Sequence, residues 1–272
     1  MDMSEKLLEL SNVSCGYGTR TVVQNVSFSL AKGEILCFLG PNGVGKTTLF
    51  KAILGFIKTT SGSIRIDGRD IAKWNRKTLA KAVAFVPQVH RPVFPFSVLD
   101  MVIMGRTAHV SAFGSPGKQD MKIAVAMLER LNIAELRDKA YTEISGGQQQ
   151  LVLIARALAQ QAKILIMDEP TASLDYGNQI KVLEQVKSLA GEGIAVIMTT
   201  HFPDHAFLCA TKVALMQADR VFEIGEVAEI VTEQSLGAAY GIRVKITHTL
   251  SGDGEWVSGC IPLLGKRELT AS

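Results

Sequence analysis

The first third of the chain carries apolar runs of strand length, separated by clusters of turn residues. Three such runs near the N-terminus predict antiparallel strands, with turns at 16–20 and at Asp67-Gly68. They span residues 7–13, 22–30 and 63–67. These strands are expected to form a small sheet that packs beside a larger core.

A second kind of apolar run has no polar alternation, which is typical of parallel strands buried on both faces. The runs span residues 34–39, 82–86, 164–167 and 194–199. Helices are predicted over 46–54 and over 178–190, where Ile180, Leu183, Val186 and Ala190 share one side. This arrangement favours an open α/β sheet, followed by a hairpin over 213–216 and 220–224.

Between these strands, from about residue 89 to 159, the pattern becomes mostly helical. Helices are predicted over 98–106 and 121–131, around a loop rich in turn residues at 111–117. A further helix begins after Ile144, with Leu151, Ile154, Ala155 and Leu158 on one face. Residues 225–272 are expected to form a short, irregular extension.

Composition narrows the class of protein. The chain has 272 residues, of which 47% are hydrophobic, enough for one large core or two modest ones. Apolar runs stay well below the roughly 20 residues that cross a bilayer, and the first residues lack the apolar segment of a signal peptide. We therefore expect a protein of the cytosol.

Charge and cysteine content exclude two further classes. A net charge of +3, without a block of Lys or Arg, gives no reason to expect a nucleic-acid partner. The four cysteines are widely spaced and include no C-x-x-C pair. Neither a disulfide framework nor a zinc site is therefore indicated.

The most informative motif lies between a buried strand and a helix and fits Gly-x-x-x-x-Gly-Lys-[Ser/Thr]. Its glycines allow backbone amides to close around a phosphate, and the helix directs its positive end to the same point. Lys46 is expected to reach the β- and γ-phosphates, and the Thr47 hydroxyl to hold Mg²⁺. The motif is Gly40-Pro41-Asn42-Gly43-Val44-Gly45-Lys46-Thr47-Thr48.

A rarer motif, Ile144-Ser145-Gly146-Gly147-Gln148, opens another helix. Ser145 can cap this helix, and the Ser-Gly-Gly amides are expected to stay free at its N-terminus, where an anion binds favourably. The motif resembles the Leu-Ser-Gly-Gly-Gln signature of ATP-binding cassette (ABC) ATPases, with Ile144 in the Leu position. The resemblance extends over residues 4–245.

The remaining motifs of that family occur in the expected order. Asp168 and Glu169 follow an apolar strand, as in the Walker B motif, where the resemblance implies that Asp168 holds Mg²⁺ through water and Glu169 activates the attacking water. Gln88 corresponds to the Q-loop glutamine, which contacts Mg²⁺ and that water. The segment 173–175, which ends at Asp175, resembles the D-loop that crosses the subunit interface.

Two weaker matches have simple alternatives. His201 follows a strand and resembles the H-loop histidine that contacts the γ-phosphate, although a histidine at a strand end is often only a solvated polar cap. Tyr17 lies where the family places an aromatic ring under adenine. The alternative interpretation is a tyrosine in a turn, with one edge of its ring exposed to solvent. The spacing from Glu169 favours the functional interpretation of His201.

Two segments, 94–106 and 199–206, resemble the ATPase subunits of type II importers. In that branch the cargo is a metal chelate such as an iron-siderophore, haem or cobalamin, or molybdate or tungstate in some members. The resemblance implies that the Q-loop region docks on a cytoplasmic helix of the permease. Met101 or Met104 would supply apolar contact there, unless both only fill the core.

Together these motifs predict an α/β fold: a P-loop, RecA-like nucleotide-binding core with an antiparallel β subdomain and an inserted helical subdomain. The ABC ATPase domain is expected over 1–245, with the helical subdomain at about 89–159 and a short extension over 246–272.

The function implied is hydrolysis of ATP with Mg²⁺, powering import of a metal chelate. Two copies would dimerise head to tail, on the cytoplasmic face of the membrane, beneath an integral-membrane permease that is served by a substrate-binding protein. An exporter ATPase is the stronger alternative and a soluble non-transport ABC ATPase the weaker, since the chain lacks the insertions or tandem cassette of the soluble members.

Overall fold

The computed structural model describes residues 6–88, 94–111, 114–172, 174–217 and 222–264. Within these residues, two large sheets and a set of helices form the molecule. The strands are β1 (Lys6–Tyr17), β2 (Arg20–Ala31), β3 (Ile35–Leu39), β4 (Thr59–Ile66), β5 (Arg69–Asp70), β6 (Val83–Val86), β7 (Ile164–Met167), β8 (Ala195–Thr199), β9 (Lys212–Met216), β10 (Phe222–Gly225), β11 (Arg243–Leu250) and β12 (Trp256–Leu263).

The helices lie between these strands and after them. They are α1 (Lys46–Ile53), α2 (Arg76–Ala82), α3 (Val98–Ile103), α4 (Lys118–Arg130), α5 (Gly146–Ala159), α6 (Tyr176–Gly191), α7 (Pro203–Cys209), α8 (Val227–Ile230) and α9 (Glu233–Tyr240). Short 3₁₀ turns occupy Ile71–Lys73, Met104–Ala108, Ala134–Leu136 and Tyr141–Glu143.

The larger sheet has the strand order β10-β9-β3-β8-β7-β6, and all neighbours are parallel except β10, which pairs antiparallel with β9. Strands β3, β7 and β8 are buried along their whole length, as the continuous apolar runs predict. The carboxyl ends of these three neighbouring strands therefore lie side by side at one edge of the sheet. The motif at 40–48, the pair Asp168 and Glu169, and His201 follow these strands at that edge.

The second sheet, in the order β2-β1-β4-β5, is antiparallel, which confirms the prediction for the N-terminal strands. Its inner face shares a hydrophobic cluster with α1 and with one face of the parallel sheet. Rings from three segments meet there: Phe38 contacts Phe28 and Phe50 edge to face, with centroids 5.9 and 5.6 Å apart. This packing fixes the position of α1 against the two sheets.

The helical region between β6 and β7 also agrees with the prediction, although residues 89–93 and 112–113 lie outside the described part. Its helices α3, α4 and α5 pack on one another through a common cluster. Helix α5 is buried on more than the predicted face, since Val152, Leu153 and Ala157 are buried as well as Ile154 and Ala155. The helix thus runs through the interior of this region.

The expectation of an irregular C-terminal region is wrong. Residues 225–264 contain α8, α9 and a regular antiparallel hairpin of β11 and β12, paired from Arg243 with Leu263 to Leu250 with Trp256. A boundary at 245 falls inside β11. The sequence does contain a pattern typical of a hairpin, because polar and apolar residues mostly alternate along Arg243–Leu250 and a Gly-containing turn follows this strand.

Across the described ranges, every helix is too short or too polar to cross a membrane.

Candidate nucleotide site

The loop between β3 and α1 has the geometry of a phosphate cradle. Helix α1 begins at Lys46 after Gly45, and no side chain caps its first turn. Its first amides are therefore left for an external acceptor. Asn42 and Gly43, in the middle of the loop, are exposed, Pro41 and Val44 are half-buried, and Thr48 is buried.

Two glycines of the loop adopt conformations that side chains rarely tolerate. Gly40 has φ 139°, and a Cβ there would lie 2.2 Å from the carbonyl oxygen of Met216. Gly45 has φ 113°, and its Cβ would lie 2.9 Å from Cγ2 of Val23. The loop thus depends on glycine both for its backbone angles and for its close approach to β9 and β2.

Lys46 is buried, with 6% of its surface exposed, and its ammonium group stays inside the loop. Nζ donates to the carbonyl oxygens of Gly40 (2.5 Å) and Pro41 (3.0 Å). Burial lowers the pKa of Lys46, and the nearby carboxylates of Glu169 and Asp168 partly oppose this effect. A buried cation at the end of the cradle is the charge that a nucleotide phosphate needs.

Asp168, at the end of β7, is oriented by two hydroxyl groups. Thr199 Oγ1 donates to Asp168 Oδ1 (2.8 Å), and Thr47 Oγ1 donates to Oδ2 (3.1 Å). Hydroxyl and carboxylate oxygens are the ligands that Mg²⁺ prefers, so this pair fits the ion. Among the described residues, His, Cys, Asp and Glu side chains form no group of three able to hold a metal. Mg²⁺ bound by few protein ligands completes its octahedral coordination with water and phosphate oxygens.

Glu169 has an unusual backbone conformation, with φ 48°. For a residue other than glycine this costs of the order of 1 kcal/mol, and such strain is found often at functional sites. Its amide donates to Thr199 Oγ1 (2.8 Å), which stabilises the turn. The carboxylate lies between two side chains, since Gln88 Nε2 donates to Oε2 (2.7 Å) and His201 Nε2 lies 2.5 Å from Oε1.

The structure therefore brings Glu169, Gln88 and His201 together. His201 is held in a fixed turn after β8. The amide of Phe202 donates to Thr200 Oγ1 (3.1 Å), and Thr200 Oγ1 lies 2.8 Å from Nδ1 of the buried His205. Burial lowers the pKa of His205, which keeps this second histidine neutral.

Ser145 caps the start of α5 as predicted, but not all three of the Ser-Gly-Gly amides are free. Ser145 Oγ accepts from the amide of Gln148 (3.3 Å), and Gln148 Oε1 accepts from the amide of Ser145 (3.0 Å). The Ser145 amide is thus engaged in this capping box, and the expectation that it is free is wrong. The amides of Gly146 and Gly147, at the first two helical positions, remain available to an anion.

This helix end is not joined to the cradle by any hydrogen bond found between described residues. Asp175 acts locally as the cap of α6, where Oδ1 accepts from the amide of Asn178 (2.9 Å). The preceding D-loop residue Ser173 lies outside the described part of the chain. Tyr17 is 47% exposed, and Lys51 Nζ lies 3.2 Å from its hydroxyl oxygen and 5.6 Å from its ring centroid.

Two contributors to the site were missed by sequence reasoning. Thr199 bonds to both Asp168 and Glu169 and so fixes the acidic pair. In the sequence, Thr199 could have been recognised as a polar residue at the end of the apolar strand β8. Tyr240 accepts a hydrogen bond from the amide of Gly40 (2.9 Å), and because it lies 200 residues away in sequence, no local pattern indicates that contact.

One further expectation needs correction. Met101 is completely buried in the core of the helical region, so it cannot contact a partner, whereas Met104 is 37% exposed.

Comparison with known proteins gives consistent results. The profile of the ABC transporter family matches residues 23–172. An uncharacterized ABC transporter ATP-binding protein of Haemophilus influenzae is 43% identical over 89% of this chain and 92% of that protein. The molybdate import ATP-binding protein MolC of the same organism is 36% identical over 86% and 88%.

A probable iron chelatin transport ATP-binding protein of Helicobacter pylori is 35% identical over 86% of this chain and 92% of that protein. Among solved structures, an inward-facing metal-chelate type ABC transporter superposes with a TM-score of 0.85 at 34% identity, covering 95% of this chain and 98% of that one. These matches confirm the predicted P-loop fold class. The cradle, the acidic pair and these similarities together show that the chain belongs to the ABC transporter family, as an ATP-hydrolysing subunit.

Proposed function

We propose that this subunit hydrolyses ATP between two copies of itself and thereby drives import of a metal chelate through a membrane permease. The observation that carries the hydrolytic part is the position of the Glu169 carboxylate, held between Gln88 and His201 beside the buried Lys46. A carboxylate fixed by hydrogen bonds at the open end of a phosphate cradle is suited to take a proton from water.

In this mechanism Lys46 leaves its carbonyl partners and binds the β- and γ-phosphates, while the loop amides surround the β-phosphate. Asp168 and Thr47 would hold Mg²⁺, which when bound neutralises charge that develops on the phosphate oxygens. Glu169 accepts the proton of the attacking water. Gln88 and His201 orient Glu169. His201 is proposed to contact the γ-phosphate that the water attacks.

The second copy supplies what one subunit lacks. The amides of Gly146 and Gly147 form a helix end that favours an anion, and its first turn contains no acidic residue. A head-to-tail dimer places this end of each subunit over the cradle of the other, with Asp175 near the interface. ATP then joins the subunits, and its hydrolysis removes the shared ligand and allows the dimer to open. Two-fold symmetry makes both sites equivalent.

The permease is proposed to dock beside Met104. A cavity of about 800 Å³ lies between the antiparallel sheet, α2 and the helical region. Met104 and Phe56, which are 37% and 69% exposed, line it together with Trp74 and the side chain of Arg156. A partly apolar cavity lined by a methionine can adapt to a helix of the permease. Docking there would keep the subunit at the cytoplasmic face of the membrane.

The cargo is proposed to be a metal chelate, delivered to the permease by a substrate-binding protein. The segments 94–106 and 199–206, the probable iron chelatin ATPase and the metal-chelate type transporter support this choice. Similarity to MolC favours a second candidate, import of the molybdate oxyanion.

The test begins with capture of the membrane partner by a tagged Glu169→Gln subunit and reconstitution of the wild-type complex in liposomes. ATP-dependent uptake of radiolabelled ferric siderophore, haem, cobalamin and molybdate is then measured, with the Glu169→Gln complex as the matched inactive control. Uptake of one of the three chelates supports the proposal. Uptake of molybdate alone replaces the cargo, and ATP-driven efflux would overturn the import assignment.

A further inference from the structure

The C-terminal unit, defined here as α9 with the β11–β12 hairpin, contacts the nucleotide site at two separate points. The first contact is with the cradle, where the amide of Gly40 donates to the hydroxyl oxygen of Tyr240 (2.9 Å). The second is with the segment after His201, where the amide of Cys260 donates to Asp204 Oδ1 (2.7 Å). This unit lies beyond the residues that match the family profile, 23–172.

Gly40 is the first residue of the cradle, and it is buried. Its carbonyl oxygen accepts from Lys46, so the same residue that Tyr240 holds at its amide also holds the catalytic lysine at its carbonyl. Its φ of 139° and the close carbonyl of Met216 leave this backbone little room to find another partner. A buried amide without a partner is unfavourable, so Tyr240 favours this loop geometry.

Tyr240 is well suited to this role. It is half-buried at the end of α9, next to the fully buried Leu236, and burial raises its pKa, so the hydroxyl stays neutral. The helix is fixed to the hairpin in turn: the Glu233 carboxylate accepts from the amide of Ile246 (3.1 Å) and pairs with Lys245 Nζ (3.0 Å). The unit therefore connects the cradle with the His201 segment through a continuous series of contacts.

From this geometry we infer that Tyr240 is a positioning residue of the nucleotide site, which holds the first amide of the cradle in the conformation that binds phosphate. The inference rests on the proposed ATP hydrolysis. Without the hydroxyl, the buried Gly40 amide has no partner in this loop conformation, so the loop populates other conformations and only a fraction of molecules keeps a binding-competent cradle. The apparent dissociation constant then rises in inverse proportion to that fraction, whereas the bound state is unchanged.

The test is Tyr240→Phe, which removes only the oxygen. Loss of one hydrogen bond predicts that Kd and KM for ATP rise by about two- to tenfold, with kcat nearly unchanged. Amide hydrogen exchange without nucleotide is expected to accelerate in the peptide that contains Gly40. The matched control is Thr232→Ala, which removes the cap of the same helix at its opposite end, where Thr232 Oγ1 accepts from the amide of Ser235 (3.0 Å).

Thr232→Ala is expected to lower the melting temperature without weakening ATP binding, when both variants are assayed well below their transitions. Tyr240→Phe with wild-type Kd and KM would overturn the inference, as would equal weakening in both variants, since that reveals a merely structural role. A measurement on the unmodified protein is independent of the variants: rapid exchange of the wild-type Gly40 amide also overturns it. If the wild-type protein itself neither binds nor hydrolyses ATP, the proposed function fails instead.

Discussion

The cradle and the start of α5 are both glycine-rich segments at a helix N-terminus, but they differ in how much of a site one subunit supplies. At the cradle, the uncapped α1 is surrounded by Lys46, Asp168 and Glu169 from the same chain. At α5, the capping box satisfies two amides locally, and the first turn contains no acidic residue.

The first glycine of each segment, Gly40 at the cradle and Gly146 at α5, differs in its surroundings. A Cβ on Gly40 would meet backbone at 2.2 Å, whereas one on Gly146 meets nothing within 4 Å. Gly40 is thus required by packing inside the subunit. Gly146 is instead exposed, and its position leaves room for the ligand and the second subunit of the proposed dimer. One segment therefore has its charged groups in the same chain, whereas the other is proposed to be half of a shared site.

The largest expected effect is at the cradle. Glu169→Gln is expected to lower kcat by about 10²–10⁴-fold, because the amide cannot accept a proton from water. ATP binding should survive, since Lys46 and the loop are intact, and the closed dimer should accumulate. Gel filtration with Mg²⁺ and ATP, together with an ATPase assay, measures both effects.

A suitable control is Glu192→Gln, the same substitution on an exposed residue that pairs with Arg130. It should behave as wild type. A Glu169→Gln protein that remains monomeric with ATP and hydrolyses it at nearly the wild-type rate would remove Glu169 from the mechanism.

The glycine pair gives a direct test of the contrast. Gly40→Ala is expected to lower the free energy of unfolding by about 2–4 kcal/mol, because its Cβ meets the backbone of Met216 and the positive φ is strained. Gly146→Ala should change stability by less than about 0.5 kcal/mol, since the position is open and helical.

Gly146→Ala should nevertheless reduce the ATPase activity of the dimer, because its methyl group enters the space over the partner's nucleotide. Urea unfolding of the isolated subunit and ATPase assays separate the two effects. The contrast is refuted by similar losses of stability in both variants, or by a fully active Gly146→Ala protein.

The sequence predicted the parts of this site that are local in the chain. The apolar strand before Gly40 and the acidic pair after Ile164–Met167 have patterns that specify both the strand and the place of its polar end. Contacts between distant segments carry no such signal. The bonds of Thr199 to the acidic pair and of Tyr240 to Gly40 depend on how the sheet and α9 pack, which no short window of sequence contains.

The hairpin of β11 and β12 is a different case. The alternation of polar and apolar residues in β11 is visible in the sequence. The segment was nevertheless expected to be an irregular extension because it is short. Met101 and Met104 show the converse limit. They lie three positions apart, yet one is buried and the other is 37% exposed, and this difference depends on how the helical region packs.

The head-to-tail arrangement is tested most directly with mixed dimers, isolated through two different tags. When one subunit carries Ser145→Arg and the other Lys46→Ala, both lesions fall in one composite site, and the second site contains an intact cradle and an intact Ser145. When one subunit carries both substitutions and the other none, each composite site is damaged. ATPase rates of cooperative sites are ambiguous, so the readout is nucleotide trapped at each site.

The account predicts one trapped nucleotide per dimer in the first arrangement, held in the cradle of the Ser145→Arg subunit, and none in the second. The two arrangements thus differ by a single trapped nucleotide, whose location in one named cradle identifies the intact site. If instead the first arrangement traps no nucleotide and the second traps one, held in the cradle of the unsubstituted subunit, the start of α5 acts within its own subunit, and the shared site is contradicted.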